Sequence, residues 1–280
     1  MANMQMVIQD FSDVYAKQPF MQELREAATS DSRIHWLDCT SIAGTDCYCD
    51  DEAVQAIRQR IADAGITDAR GIHFFDGGNY HYMSKIWTDM VQEPFSLFVF
   101  DHHPDMQEPR FGNILSCGGW VLEVLKNNPF VQSVTLIGVA DHLVEEIRND
   151  DYRNKVSFIR ESELYQIPGQ SRNDGIANTV QTSWWPTSRH LESVPLYISI
   201  DKDALAPAYA ATNWDQGSLS TEMLKSTIAR LAANHKILGI DICGERARDF
   251  AGDEHHTVQE ADALNSKLNC ELAKFLLEIC

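Results

Sequence analysis

Three short clusters of carboxylates and imidazoles carry most of the chemistry in this sequence. The first is Asp101-His102-His103-Pro104-Asp105, set directly after the apolar run Phe95-Ser96-Leu97-Phe98-Val99-Phe100. Side chains alternate along an extended segment, so residues 101, 103 and 105 share one face and deliver two carboxylates and one imidazole to one point. Such oxygen and nitrogen donors suit a divalent metal, whereas His102, on the opposite face, is not expected to be a ligand. The second cluster, Asp201-Lys202-Asp203, closes another apolar strand, Pro195-Leu196-Tyr197-Ile198-Ser199-Ile200. A lone Asp at a strand end commonly caps the next turn; two acidic clusters, each ending a strong strand, favour metal binding. The third is Gly77-Gly78-Asn79-Tyr80-His81, following Ile72-His73-Phe74-Phe75. Paired glycines permit a tight turn or a close backbone approach, and that turn makes His81 a candidate metal ligand rather than an ordinary hydrogen-bonded histidine.

Distant clusters meet only if the fold gathers them. Strand-like runs fall near 5–9, 33–37, 71–75, 95–100, 134–139, 155–159, 195–200 and 237–242. Helical spacing lies between many of them. Asp51–Ala64 carries Val54, Ile57 and Ile61 on one face, with Asp50 or Asp51 as cap; Ser220 caps a helix bearing Leu224, Ile228 and Leu231; Leu264 to Ile279 is helical at the end. Alternating strands and helices predict an α/β fold with a mainly parallel sheet of about eight strands covered on both faces. The Gly-, Pro- and Ser-rich stretch 166–190 reads as a surface loop within one domain spanning 1–280. Ligands of open α/β sheets bind beyond the carboxyl ends of the strands, where Asp76, Asp101, Asp201 and Asp241 all fall.

Composition narrows the function. A net charge of -18 over 280 residues argues against nucleic-acid binding, which needs a basic footprint. No uncharged apolar run reaches the roughly 18 residues of a membrane span, and the first residues lack a signal peptide's basic and apolar regions. A cytoplasmic protein is the expectation. The seven cysteines, at 39, 47, 49, 117, 243, 270 and 280, then read as reduced thiols, a local disulfide among Cys39, Cys47 and Cys49 being the alternative.

From about residue 70 to 250 the chain resembles the arginase, or ureohydrolase, family, which includes agmatinases and formimidoylglutamases. The resemblance rests on Gly77-Gly78-Asn79-Tyr80-His81 (one residue longer than the family's Gly-Gly-x-His), Asp101-x-His103-x-Asp105 and Ser199-x-Asp201-x-Asp203. It implies a three-layer α/β/α fold and two Mn2+ per chain. His81, Asp101, Asp105 and Asp201 would hold one ion; Asp101, His103, Asp201 and Asp203 the other, with Asp101 and Asp201 bridging. A metal-bridging hydroxide would attack a guanidino carbon, releasing urea and an amine, with Asp105 as its catalytic hydrogen-bond partner. Glu245, after the strand Ile237–Ile242, would clamp the substrate's guanidinium, unless it pairs with Arg246 or Arg248 at the surface.

The chain departs from the family at several points. Ser116 or Cys117 stands where arginases carry a proton-shuttling His, with His142, His255 and His256 as replacements from elsewhere. Ala206 precedes Pro207 where the family often has Asp, and Leu143 replaces a second acidic group after Asp141. Gln107 and Asn213-Trp214-Asp215-Gln216-Gly217 are alternative polar partners for the substrate head, Trp214 being equally a core or lid residue. The partner is therefore a small-molecule or peptide guanidino substrate such as free, modified or peptidyl arginine, and a homo-oligomer is allowed. Two other functions compete: a single-zinc, deacetylase-like amidohydrolase, and a metal-binding regulatory protein without turnover.

Overall fold

The computed structural model describes residues 4–109, 112–147, 152, 154–165 and 194–280. Eight strands form one sheet: β1 (Met6–Asp10), β2 (Ile34–Asp38), β4 (Ile72–Phe74), β5 (Phe95–Phe100), β7 (Val131–Val139), β8 (Val156–Arg160), β9 (Leu196–Asp201) and β10 (Ile237–Cys243). Their order is β2-β1-β4-β10-β9-β5-β7-β8. Every neighbouring pair is parallel, so all eight carboxyl ends lie along one edge. The six inner strands are largely apolar runs in the sequence, because the inside of a parallel sheet is buried on both faces; the edge strands β2 and β8 are partly exposed. β3 (Tyr48–Cys49) and β6 (Leu115–Ser116) form a separate antiparallel pair too short to leave a sequence pattern.

Helices cover both faces, giving the expected three layers. Val7, Leu97 and Val99 point into a core closed by α2 (Asp51–Asp63), α3 (Met83–Thr88) and α4 (Trp120–Asn127). The intervening Ile8, Phe98 and Phe100 point to the other side, against α1 (Pro19–Ala27), α6 (Thr221–Asn234) and α7 (Val258–Ile279). This two-residue alternation sends successive side chains into opposite layers. The sequence caps hold: the Asp50 carboxylate accepts from the Ala53 N–H at 2.8 Å and the Ser220 hydroxyl from the Met223 N–H at 3.2 Å. Among the described residues no helix is long and apolar enough to cross a membrane. The loop expected over 166–190 lies outside the described residues.

Candidate metal centre

The carboxyl ends of β4, β5 and β9 bring the three clusters to one buried point. Gly77 leads into a tight turn at Gly78–Tyr80, and His81 follows it. Only glycine fits at 78, since a Cβ there would lie 2.8 Å from Trp214 Cδ1 and 3.0 Å from Asp201 Oδ2. The turn aims His81 Nδ1 at three carboxylates: Asp105 Oδ2 at 3.0 Å, Asp101 Oδ2 at 3.1 Å and Asp201 Oδ2 at 3.5 Å. His103 Nδ1 lies 2.9 Å from Asp203 Oδ2 and 3.6 Å from Asp101 Oδ1. Five of the six expected ligands fall in two groups, His81/Asp101/Asp105 and Asp101/His103/Asp203, joined by Asp101. Asp201 completes the six, in a third group with His81 and Cys243.

The far nitrogens of both histidines are fixed. His81 Nε2 lies 2.9 Å from Ser199 Oγ, and His103 Nε2 lies 3.0 Å from Asp215 Oδ1. A hydrogen bond at Nε2 sets the tautomer and leaves Nδ1 free to bind a metal. Backbone donors hold the carboxylates: the His103 N–H donates to Asp101 Oδ1 at 2.6 Å, the His102 N–H to Asp203 Oδ1 at 3.0 Å and the Asp203 N–H to Asp201 Oδ1 at 2.9 Å. The Trp120 indole N–H donates to Asp105 Oδ2 at 2.7 Å. His102 is in none of these ligand groups, though its ring is buried.

The cluster is short of positive charge. Asp101 Oδ2 is buried and has no hydrogen-bond donor. One imidazole N–H cannot serve three carboxylates. Burial and the neighbouring Asp203 push the Asp201 carboxyl up to about 7; burial and Asp101 push Asp203 up to about 6. Burial alone would depress both imidazoles, but Asp101 with Asp105, and Asp101 with Asp203, drive His81 and His103 well above the usual histidine range. Divalent cations would satisfy the same oxygens directly, and the donor set fits them.

A cavity of about 490 Å³ opens over the cluster, and Asp105, Asp201, Leu143 and Trp214 are among its lining residues. Trp214, left open between core and lid, is 42% exposed, so it forms cavity wall rather than core. Of the candidate proton-shuttle replacements, Cys117 lines the cavity; Ser116, His142, His255 and His256 do not. Glu108 and Glu146 also line it, acidic groups that no motif marked.

The expectation for Glu245 needs correction. Gly244, with φ +91°, turns the chain, and Glu245 is buried beneath the site rather than lining the cavity. The Lys202 ammonium and the Asn269 amide (2.7 Å) donate to its Oε1; the Gln18 (2.7 Å) and Asn265 (2.8 Å) amides donate to Oε2. A carboxylate with both oxygens so engaged cannot also grip a guanidinium, and its partner is Lys202 rather than the expected arginines. Arg246 instead pairs with Asp262 at 2.7 Å. Nor are Asp76 and Asp241 ligands: Asp76 accepts from Phe11, Ser12 and Gly77, and Asp241 pairs with His73 at 2.8 Å and Tyr197 at 2.7 Å.

Comparison with known proteins gives a consistent placement. The model of the arginase family matches residues 15–247. An uncharacterized protein of Thermotoga maritima is 30% identical over 175 residues, 62% of this chain and 58% of that relative's length. Proclavaminate amidino hydrolase from Streptomyces clavuligerus superposes with a TM-score of 0.61 at 17% identity, covering 97% of this chain and 92% of its own. A triple mutant of the T. brucei arginase-like protein bound with Mn2+ superposes with a TM-score of 0.52 at 17% identity, covering 99% and 91%.

Proposed function

The chain belongs to the arginase family, and from that premise we propose that it is a binuclear-metal hydrolase that cleaves the guanidino group of an arginine-like substrate to urea and an amine. The carrying observation is the convergence of His81, His103 and four aspartates at one buried point under an open cavity, with Asp101 Oδ2 lacking any hydrogen-bond donor. Asp101, Asp105 and Asp201 with His81 would hold one divalent ion, and Asp101 and Asp203 with His103 the other. Manganese is the ion bound in the triple mutant of the T. brucei arginase-like protein. Two such ions, when bound, lower the pKa of a shared water and supply a nucleophile at neutral pH.

The protein's own groups do the rest. Asp105, positioned by the Trp120 N–H and lining the cavity, accepts a proton from the attacking water and passes it to the departing amine. Ser199 and Asp215 keep each Nδ1 directed at the metal cluster. Trp214, with its ring centroid 5.8 Å from that of His103, offers a flat face over which a guanidinium stacks. Release of urea from a panel of guanidino compounds, with manganese added, tests the reading. Activity that disappears in Asp101→Asn supports it; full activity in that variant rules it out. Separate ligand groups around His81 and around His103, rather than one group, favour this reading over a single-zinc amidohydrolase.

A further inference from the structure

We propose that Cys243 contributes a thiolate ligand to the ion on the His81 side of the centre, so that this side prefers a softer divalent ion, zinc or cobalt, over manganese. The inference rests on the metal-hydrolase reading and adds a donor that reading does not use.

Cys243 is the last residue of β10 and stands opposite Asp201, the last residue of β9, in the parallel register. It is buried, with Sγ 3.2 Å from Asp201 Oδ2. The same carboxylate oxygen faces His81 Nδ1 at 3.5 Å. Ligand atoms of His81, Asp201 and Cys243 all lie within 4.8 Å of one another. Donors around one ion sit about 2.0–2.3 Å from it and hence at most about 4.6 Å apart, so small side-chain adjustments suffice. A second observation points to the same spot: Asp101 Oδ2, buried and without a donor, lies 3.1 Å from that His81 nitrogen.

The local chain explains the thiol's position. At Gly244 a Cβ would come within 2.3 Å of Asp201 Oδ1, so only glycine lets the backbone pass this close. Glu245, next along, turns down to Lys202. The turn after β10 therefore presents sulfur, and no carboxylate, to the cluster. Sulfur selects zinc and other soft or borderline ions, whereas carboxylate and water ligands suit manganese. The His103 side offers only oxygen and nitrogen donors, so the two sides differ in preference. Ligation replaces the S–H bond by a sulfur–metal bond and releases one proton to water.

The test uses the full chain, stripped with a chelator and reloaded with cobalt(II). Bound cobalt is counted by equilibrium dialysis, and the near-ultraviolet sulfur-to-cobalt charge-transfer band is recorded. The band is expected in the parent and absent from Cys243→Ser. Zinc affinity of that variant should fall about tenfold or more, the least that loss of even an outer-shell partner causes, while manganese affinity stays within about twofold. Far-ultraviolet circular dichroism confirms that the variant is folded, and Cys243→Ala repeats the comparison. Cobalt bound without the band, or a band that survives both substitutions, overturns the thiolate ligand and leaves the binuclear reading intact. Failure of the folded parent to bind any divalent ion overturns both.

Discussion

Replacing Glu245 by Gln separates the two roles this residue could have. The carboxylate is 1% exposed and carries two donors on each oxygen, one of them the fully buried Lys202 ammonium. Glutamine keeps the shape but loses the charge, and its own NH2 must displace two of the four donors. Leaving one partner of a buried pair uncompensated costs about 3–5 kcal/mol, a large share of the roughly 5–15 kcal/mol that stabilises a typical protein. At roughly 2–4 °C per kcal/mol for a chain of this size, the midpoint should fall by roughly 6–20 °C. Equilibrium urea unfolding followed by circular dichroism reads the change, and thermal melting checks it. The double variant Lys202→Met with Glu245→Leu, which replaces the pair by apolar groups, should recover much of the loss. A Glu245→Gln protein as stable as the parent, with a raised KM for a guanidino substrate, would refute this reasoning and restore the residue as substrate clamp.

Three further outcomes follow. Burial and the nearby Asp76 push the Asp10 carboxyl up to about 7 from 3.8. Because the folded value is raised, the stability Asp10 contributes is full below the unfolded pKa and is lost as pH rises through about 7. Asp10→Asn should therefore match the parent near pH 4 and exceed it by about 1–4 kcal/mol at pH 8, and urea midpoints that differ equally at both values would sink the idea. Ser199→Ala, which frees His81 Nε2, should weaken metal binding about 10–100-fold in a calorimetric titration; an unchanged affinity would remove Ser199 from the centre. Gly78→Ala would force its Cβ against Trp214 and Asp201, and should lower metal occupancy by mass spectrometry of the native protein more than it lowers the melting temperature.

Sequence made the sheet legible because the six inner strands are largely buried on both faces and read as mostly apolar runs, whereas the edge strands β2 and β8 are partly exposed. The metal cluster was legible for the same reason: Asp101 and Asp201 stand at or just past strand ends that lie side by side. Glu245 was misread because its direction depends on one backbone turn at Gly244, which motif spacing does not encode. Nothing in the sequence singles out Cys243, because a buried thiol looks like any other small core residue. Asp215 stood among the candidate partners of the substrate head, and only the folding of its loop brings it instead to His103. Lys202, between two ligand aspartates, is fully buried against Glu245, which no spacing in the sequence indicates.

Metal stoichiometry tests the binuclear centre most directly. Protein stripped with chelator, reloaded with excess manganese and desalted should hold two ions per chain by inductively coupled plasma mass spectrometry, and a folded Asp101→Asn variant, lacking the carboxylate common to both ligand groups, should retain fewer than one. One ion per chain in the parent, or two in Asp101→Asn, would contradict it.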